Sequence, residues 1–170
     1  MQLADYIRAV PDFPKPGILF RDITPLLSDS KAFQASIDQL VERYRDQNID
    51  AIVAAESRGF IFGTPLALAL NAAFVPVRKP GKLPAETYSH SYDLEYGSDT
   101  LEIHADALKE GQRVLILDDL LATGGTIEAC IELLSKFSVE IVECAFVIHL
   151  EALEGEKKLE PHPVYSLLQY

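Results

Sequence analysis

Cysteine is scarce in this sequence: 170 residues contain only Cys130 and Cys144, which are well separated along the chain. This count excludes a disulfide framework, and we expect two buried thiols in a reducing compartment. The histidines are scattered, with no pair at the spacing of helical metal ligands: His90, His104, His149 and His162. We therefore assign no histidine to catalysis or to a metal site, and we expect no protein-held metal.

Positive charge is also in short supply. The chain carries 15 Lys and Arg against 26 Asp and Glu, a formal net charge of −11. Such a charge repels a phosphate backbone, so nucleic acid is excluded as the main partner. An acidic protein that binds small anions must gather its cations locally, which makes any basic cluster informative.

Long apolar runs are nearly absent. The N-terminal MQLADYIRAVPDF has no apolar signal core. Residues 59–77 carry no charge and are long enough to cross a membrane, but they contain two prolines and an asparagine. We expect this stretch to divide into a helix and a short strand, and the protein to be cytoplasmic with no membrane partner.

Apolar runs of strand length alternate with amphipathic helical segments, and no repeat or linker interrupts them. The predicted strands are 51–55, 74–77, 113–117, 141–150 and 164–168; the predicted helices are 31–47 with Ser30 as N-cap, 60–71, and one ending near 137. This alternation predicts a single α/β domain over residues 1–170, with a parallel sheet flanked by helices. Ligands of such sheets bind beyond the carboxyl ends of the strands.

The segment 114–126, VLILDDLLATGGT, joins a strand to a helix. We expect Gly124 and Gly125 to adopt positive φ and let the backbone approach a ligand. The loop amides and the helix N-terminus favour a phosphate, and Thr123 and Thr126 add hydroxyl donors. Neither the dinucleotide motif G-x-G-x-x-G nor the P-loop motif occurs.

Two adjacent carboxylates, Asp118 and Asp119, end the apolar part of this strand. Such a pair suits the two vicinal hydroxyls of a ribose, or a hydrated metal. The alternative is that the acids only cap the turn and the glycines only make it tight.

Cations follow two other strands. Arg58 lies in AESRG, and Arg78, Lys79 and Lys82 crowd into RKPGK. At the carboxyl end of a sheet these side chains suit a diphosphate. The alternatives are a salt bridge from Arg58 to Glu56 or another surface acid, and a solvated basic turn.

The segment 114–126 resembles the phosphoribosyl pyrophosphate (PRPP) signature of type I phosphoribosyltransferases, and DDLLATGGT is similar to that of the adenine-specific branch. The resemblance extends over nearly the whole chain. It implies that Asp118 and Asp119 hold the ribose hydroxyls and that the loop of Arg58 contacts the pyrophosphate. From their position at a strand end, Arg78, Lys79 and Lys82 are our candidates for binding the same group. The 5′-phosphate is implied to bind Ala122, Thr123, Gly124, Gly125 and Thr126.

The segment 13–23, FPKPGILFRDI, resembles the base-binding part of the same branch, within a small N-terminal hood of residues 1–30. The resemblance implies that Leu19 and Arg21 offer backbone groups to the base and that Phe20 stacks on its ring. Discrimination among bases would rest on these residues and Leu120. The alternative is a proline-rich surface turn with Phe20 in the core.

Residues 83–103 are polar, rich in Tyr and Ser, and turn at Gly97, which indicates a mobile hairpin. A closing lid would keep water from a cationic sugar intermediate. By resemblance Glu95 is the acidic lid residue that contacts the purine, with Tyr96 beside it. The alternative for Glu95 is a solvated loop acid.

The resemblance thus implies transfer of the 5-phosphoribosyl group from PRPP to adenine in purine salvage, giving AMP and pyrophosphate. We assign the catalytic roles to Arg58 and Glu95, with Mg²⁺ arriving bound to PRPP. A homodimer is expected, with the uncharged run 60–65 in its interface. Hypoxanthine, guanine or xanthine remain alternative bases, and a PRPP-sensing regulator is a rival that the acidic charge disfavours.

Overall fold

The structure, a computed structural model, describes residues 1–94 and 96–170. Its helices are α1 (Thr24–Ser28), α2 (Ser30–Tyr44), α3 (Arg58–Ala69) and α4 (Gly125–Leu134). Its strands are β1 (Arg8–Pro11), β2 (Leu19–Asp22), β3 (Ala51–Ala55), β4 (Ala73–Val77), β5 (Thr87–Asp93), β6 (Ser98–His104), β7 (Arg113–Leu121), β8 (Glu140–His149) and β9 (Val164–Gln169). Short 3₁₀ turns cover Leu3–Tyr6, Glu151–Leu153 and Gly155–Leu159.

Five strands form the predicted parallel sheet, in the order β4-β3-β7-β8-β9. All residues of β3 are buried, because helices cover both faces of the sheet. Helices α2 and α3 pack on one face, and α4 packs on the other with the β5–β6 hairpin. The chain reverses its direction of winding between β3 and β7, which places a topological switch point between these neighbouring strands.

The N-cap of helix α2 lies one residue earlier than the sequence predicts. Asp29, not Ser30, is the N-cap, and its Oδ1 accepts hydrogen bonds from the amides of Lys31 and Ala32 at 2.9 Å each. The carboxylate satisfies two otherwise unpaired donors of the first turn. The buried stripe of the helix, including Ile37 and Leu40, then faces the sheet as predicted.

Two antiparallel hairpins stand outside the main sheet. The pair β1–β2 belongs to the N-terminal segment, and β5–β6 spans most of residues 83–103. Leu101 and Ile103 of β6 are buried in the core cluster under α4, so the base of the second hairpin is anchored. The predicted mobility of residues 83–103 stays a prediction.

The uncharged stretch 59–77 divides into α3 and β4, as predicted. Within the part of the chain that the structure describes, no helix is long and apolar enough to cross a membrane. Cys130 and Cys144 are free and buried, as predicted. Burial raises the pKa of the Cys144 thiol to about 12, so it stays protonated at neutral pH.

Candidate active site

Arg58 and Asp119 meet across the switch point of the sheet. Arg58 is the first residue of α3, directly beyond β3, and its Nε donates to Oδ2 of Asp119 on β7 at 2.6 Å. The predicted alternative partner, Glu56, is not the one it pairs with. The charge of Asp119 raises the pKa of Arg58, so the guanidinium is firmly cationic at the edge where ligands of such sheets bind.

Gly59 allows this pairing. A Cβ atom added at Gly59 would lie 3.0 Å from Oδ1 of Asp118 and 3.2 Å from the carbonyl oxygen of Leu117. Any side chain would therefore push the start of α3 away from β7. The glycine of AESRG serves close packing between a helix end and a strand, which in turn brings Arg58 to Asp119.

The two acids lie within β7, not in the loop after it. The strand was predicted to end at 117, but its pairing with β8 continues to Leu121. Asp119 is buried, and Asp118 is partly buried with its Oδ1 accepting from the Asp119 amide at 2.8 Å. Burial and the neighbouring charge of Asp119 raise the pKa of Asp118 well above its ordinary value.

Residues 122–126, here called the phosphate loop, form a cavity of about 90 Å³ with the end of β7 and the start of α4. Gly124 is the N-cap of α4 with φ of 88°, and among the described residues no side chain caps the helix amides there. Uncapped amides and the helix dipole make an anion site. Gly125 was predicted to need positive φ as well, which is wrong: it is the first residue of the helix.

The phosphate loop touches a second stretch of backbone. A Cβ at Gly124 would lie 2.6 Å from the carbonyl oxygen of Gly155, and a Cβ at Gly155 would overlap the carbonyl oxygen of Ala122. Neither residue tolerates a side chain in this arrangement. Gly155 was missed in the sequence because nothing in EALEGEKK marks it as the partner of a distant loop.

A second cavity, of about 300 Å³, lies between the N-terminal segment and the switch point. Its aromatic lining is Phe13 and Phe20, whose rings meet edge to face at a centroid distance of 5.2 Å. Arg58, Asp119 and Leu120 line its floor, and Leu120 also lines the phosphate-loop cavity. Two adjoining sites, one apolar and one suited to an anion, therefore share the end of β7.

The predicted base-binding residues divide between the inside and the outside of this cavity. Phe20 and Arg21 line it, whereas Leu19 is 48% exposed and is not among its lining residues. The Arg21 guanidinium stacks on the ring of Tyr170, 3.9 Å from its centroid. Phe13 and Tyr170 are contacts that sequence reasoning missed, although Phe13 begins the matching segment.

The cation cluster after β4 is organised by Glu56. Its Oε1 accepts from Arg78 Nε at 3.3 Å and from the Lys79 amide at 2.8 Å, and Lys82 Nζ lies 3.8 Å from Oε2. Although burial opposes it, the Lys79 amide and these cations lower the pKa of Glu56. The carboxylate is therefore ionised and holds the cations together at the edge of the sheet.

Lys79 connects this cluster to the β5–β6 hairpin. Its ammonium pairs with Asp99 at the start of β6, and the Tyr92 hydroxyl lies 3.5 Å from the same carboxylate. The Tyr92 ring faces Gly125, where an added Cβ would lie 3.8 Å from it. The hairpin thus contacts both the cation cluster and the phosphate loop.

Of the two predicted lid residues, the structure describes Tyr96. Tyr96 is 84% exposed in the connection between β5 and β6. Glu95 lies outside the described residues.

Comparison with known proteins agrees with this geometry. The phosphoribosyl transferase domain profile matches residues 26–168, more than half of the chain. The chain belongs to the phosphoribosyltransferase family. It is 61% identical over 170 residues to the adenine phosphoribosyltransferase of Rhodopirellula baltica, covering 100% of this chain and 82% of that protein.

Solved structures of phosphoribosyltransferases share the fold. The adenine phosphoribosyltransferase of Thermoanaerobacter pseudethanolicus superposes with a TM-score of 0.94 at 53% identity, covering 99% of this chain and 98% of that one. The Saccharomyces cerevisiae enzyme, solved with an imino-altritol bisphosphate and adenine, gives a TM-score of 0.92 at 44% identity, covering 97% and 96%. The type I phosphoribosyltransferase fold predicted from the sequence is confirmed.

Proposed function

We propose that this chain transfers the 5-phosphoribosyl group from PRPP to adenine, giving AMP and pyrophosphate in purine salvage. The observation that carries the proposal is the pair of adjoining cavities at the end of β7, one lined by aromatic rings and one by helix amides. A purine base needs an aromatic surface to stack on, and a ribose phosphate beside it needs amide donors for the phosphate. Relatives named adenine phosphoribosyltransferase, which match at least 99% of this chain, support the proposal.

PRPP occupies the anion-binding side of the site. The 5′-phosphate binds the phosphate loop, and Asp118 and Asp119 accept hydrogen bonds from the ribose hydroxyls. The pyrophosphate group lies among the cations after β3 and β4: Arg58, Arg78, Lys79 and Lys82. To reach the pyrophosphate, Arg78, Lys79 and Lys82 exchange part of their contact with the carboxylates of Glu56 and Asp99 for the phosphate oxygens.

Adenine occupies the apolar side, stacked on Phe20, with backbone groups of Arg21 and the side chain of Leu120 at its edge; the contact with backbone groups of Leu19, which does not line the cavity, stays a prediction. Its N9 attacks C1′ as the bond from C1′ to the pyrophosphate oxygen breaks. Positive charge builds on the ribose in this step, as in glycosidases. Arg58 and its neighbouring cations stabilise the negative charge that leaves.

Proton transfer at the base is assigned to Glu95 on the lid, which we place against the N7 side of the purine with Tyr96 beside it. In the N7–H tautomer of adenine the N9 lone pair is free to attack C1′, and the Glu95 carboxylate accepts the N7 proton as the new bond forms. Closure of the hairpin tip would also exclude water from the ribosyl cation.

We place Mg²⁺ with PRPP. Asp118 and Asp119, beside the ribose hydroxyls, would offer carboxylate oxygens to the ion, because Mg²⁺ usually binds one or two carboxylates together with substrate phosphates. Within the described part of the chain no group of three or more His, Cys, Asp or Glu side chains forms a metal site of its own. When bound, the ion supplies charge neutralisation on the pyrophosphate.

We also propose a homodimer in the cytoplasm. An apolar groove lies between α2 and α3, lined in part by Phe33, Ile37 and Pro65, and Leu68 at its rim is 84% exposed. An exposed leucine over an apolar groove supports an interface with a second copy. It lies slightly beyond the run 60–65 expected from the sequence. The buried free thiols fit a reducing compartment.

Product analysis tests the reaction. Protein incubated with PRPP, Mg²⁺ and adenine should form AMP and pyrophosphate in equal amounts, and chelation of the metal should stop turnover. Omission of adenine should leave PRPP intact. Release of pyrophosphate together with free ribose 5-phosphate would mean hydrolysis, and would overturn the proposal.

A further inference from the structure

The segment after β8 supports the phosphate loop from behind. Residues 150–159, here called the supporting segment, contain the two 3₁₀ turns Glu151–Leu153 and Gly155–Leu159. Gly155 meets Gly124 and Ala122 backbone to backbone, with no space for a Cβ on either glycine. The position of the phosphate loop therefore depends on where Gly155 is held.

A side-chain pair beside Gly155 holds it. His149 Nε2 lies 2.9 Å from Oε2 of Glu156, the residue after Gly155. His149 is the last residue of β8, is only 8% exposed, and lies opposite Leu121, the last residue of β7 before the phosphate loop. The pair thus joins the fixed end of a core strand to the supporting segment.

Backbone contacts make this connection short. The Leu150 amide donates to the Leu121 carbonyl oxygen at 3.0 Å, and Leu159 anchors the far end of the segment in the core. Among the described contacts, His149–Glu156 is a side-chain pair that links a residue adjacent to Gly155 to a core strand. Other described side-chain pairs of the segment, such as Lys157 with Glu154, join exposed residues to each other.

We propose that His149 and Glu156 are a positioning pair for PRPP binding, acting through Gly155 on the phosphate loop. The inference rests on the proposed assignment of that loop to the 5′-phosphate. Neither residue is assigned a contact with the reacting atoms. Because the 5′-phosphate is remote from the breaking bond at C1′, it is held equally in ground and transition states, so loss of the pair raises KM for PRPP and leaves kcat in place.

Steady-state kinetics of Glu156→Ala test this. Glu156 is partly exposed, so the variant is expected to fold. We expect KM for PRPP to rise about three- to tenfold, the range expected for the net loss of one ordinary hydrogen bond, with kcat and KM for adenine within about twofold of native. Lys157→Ala, which removes the neighbouring exposed pair on the same turn, is the matched control and should be native in all three constants.

A conservative variant separates the effect of losing the hydrogen bond from the effect of losing side-chain volume. His149→Gln keeps an N–H donor near the place of the imidazole Nε2 and should restore KM for PRPP to near the native value. His149→Ala should match Glu156→Ala. If His149→Gln is as impaired as His149→Ala, the hydrogen bond is not what positions the loop.

Two further outcomes overturn the proposal. One is a folded Glu156→Ala protein whose KM for PRPP equals that of Lys157→Ala. The other is a parallel loss in kcat and in KM for both substrates, which a general structural defect produces. Thr126→Val, within the phosphate loop, separates the two assignments: if it raises KM for PRPP and Glu156→Ala does not, only the positioning pair fails, and if neither does, the loop assignment fails too.

Discussion

The guanidinium of Arg58 and the carboxylate of Asp119 are joined by a 2.6 Å hydrogen bond across the switch point of the sheet. Asp119 is buried, but the side chain of Arg58 is 53% exposed, so the cation remains accessible to a ligand while its orientation is fixed. One pair thus joins the floor of the base cavity to the site proposed for the ribose and pyrophosphate. Its accessibility indicates a role in binding more than in stability.

Arg58→Ala should therefore lower kcat/KM for PRPP by about 10²-fold, the usual cost of losing one preorganised donor to developing charge. Arg45→Ala is the matched control: Arg45 is 56% exposed and pairs with Glu42 away from the site. Equal kcat/KM values for the two variants would contradict the assigned role of Arg58.

The two glycines of the phosphate loop should respond differently to alanine. Gly124→Ala meets both a left-handed backbone and the carbonyl oxygen of Gly155, so it should lower the free energy of unfolding by about 1–3 kcal/mol and raise KM for PRPP. Gly125→Ala places a Cβ in ordinary contact with Tyr92 inside a helix and should keep the native Tm. Thermal denaturation of the two variants measures this difference, and similar losses in both would refute it.

Asp118 should reduce stability at neutral pH. Its pKa is raised in the folded state by burial and by Asp119, so the unfolded chain releases the proton first as pH rises through the ordinary value of 3.8. The free energy of unfolding therefore falls from that pH up to the raised pKa, and the penalty is complete above it.

Asp118→Asn removes this penalty. The variant should have a higher Tm than native at pH 7, a difference that shrinks as the pH approaches 3.8, and a raised KM for PRPP because a ribose acceptor is lost. Denaturation curves across this pH range provide the measurement. A lower Tm at pH 7 would show that the charged carboxylate stabilises the fold.

The proposed dimer depends on Leu68. Leu68→Glu places a charge on the apolar groove between α2 and α3, and should convert the protein from twice the 18.8 kDa chain mass to a monomer in light scattering. Gln39→Glu adds the same charge to an exposed position on α2 outside the groove and should stay dimeric. A dimeric Leu68→Glu protein would place the interface elsewhere.

The sequence predicted features that are set locally. The apolar run AIVAA became the buried strand β3, and the string TGGT became the start of α4. Local signals also placed Asp118 and Asp119 at the carboxyl edge of the sheet, because the carboxyl ends of parallel strands share one edge.

Features that depend on distant partners were not predictable. Strand β7 runs past its apolar part to Leu121 because β8 continues to pair with it. Arg58 pairs with Asp119, 61 residues away in sequence, and not with nearby Glu56. The role of Gly155 follows only from its contact with Gly124, which no local pattern encodes. Sequence patterns carry periodicity and turn chemistry but not which remote groups will meet.

The most direct test of the central claim is kcat/KM with PRPP for four bases: adenine, hypoxanthine, guanine and xanthine. Adenine transfer at the cavity of Phe20, Arg21 and Leu120 predicts AMP formation with adenine preferred over each of the others by about 10²-fold or more, because unmatched polar groups are costly in a buried site. Equal or greater kcat/KM for any other base, or no pyrophosphate release with adenine, would contradict the account.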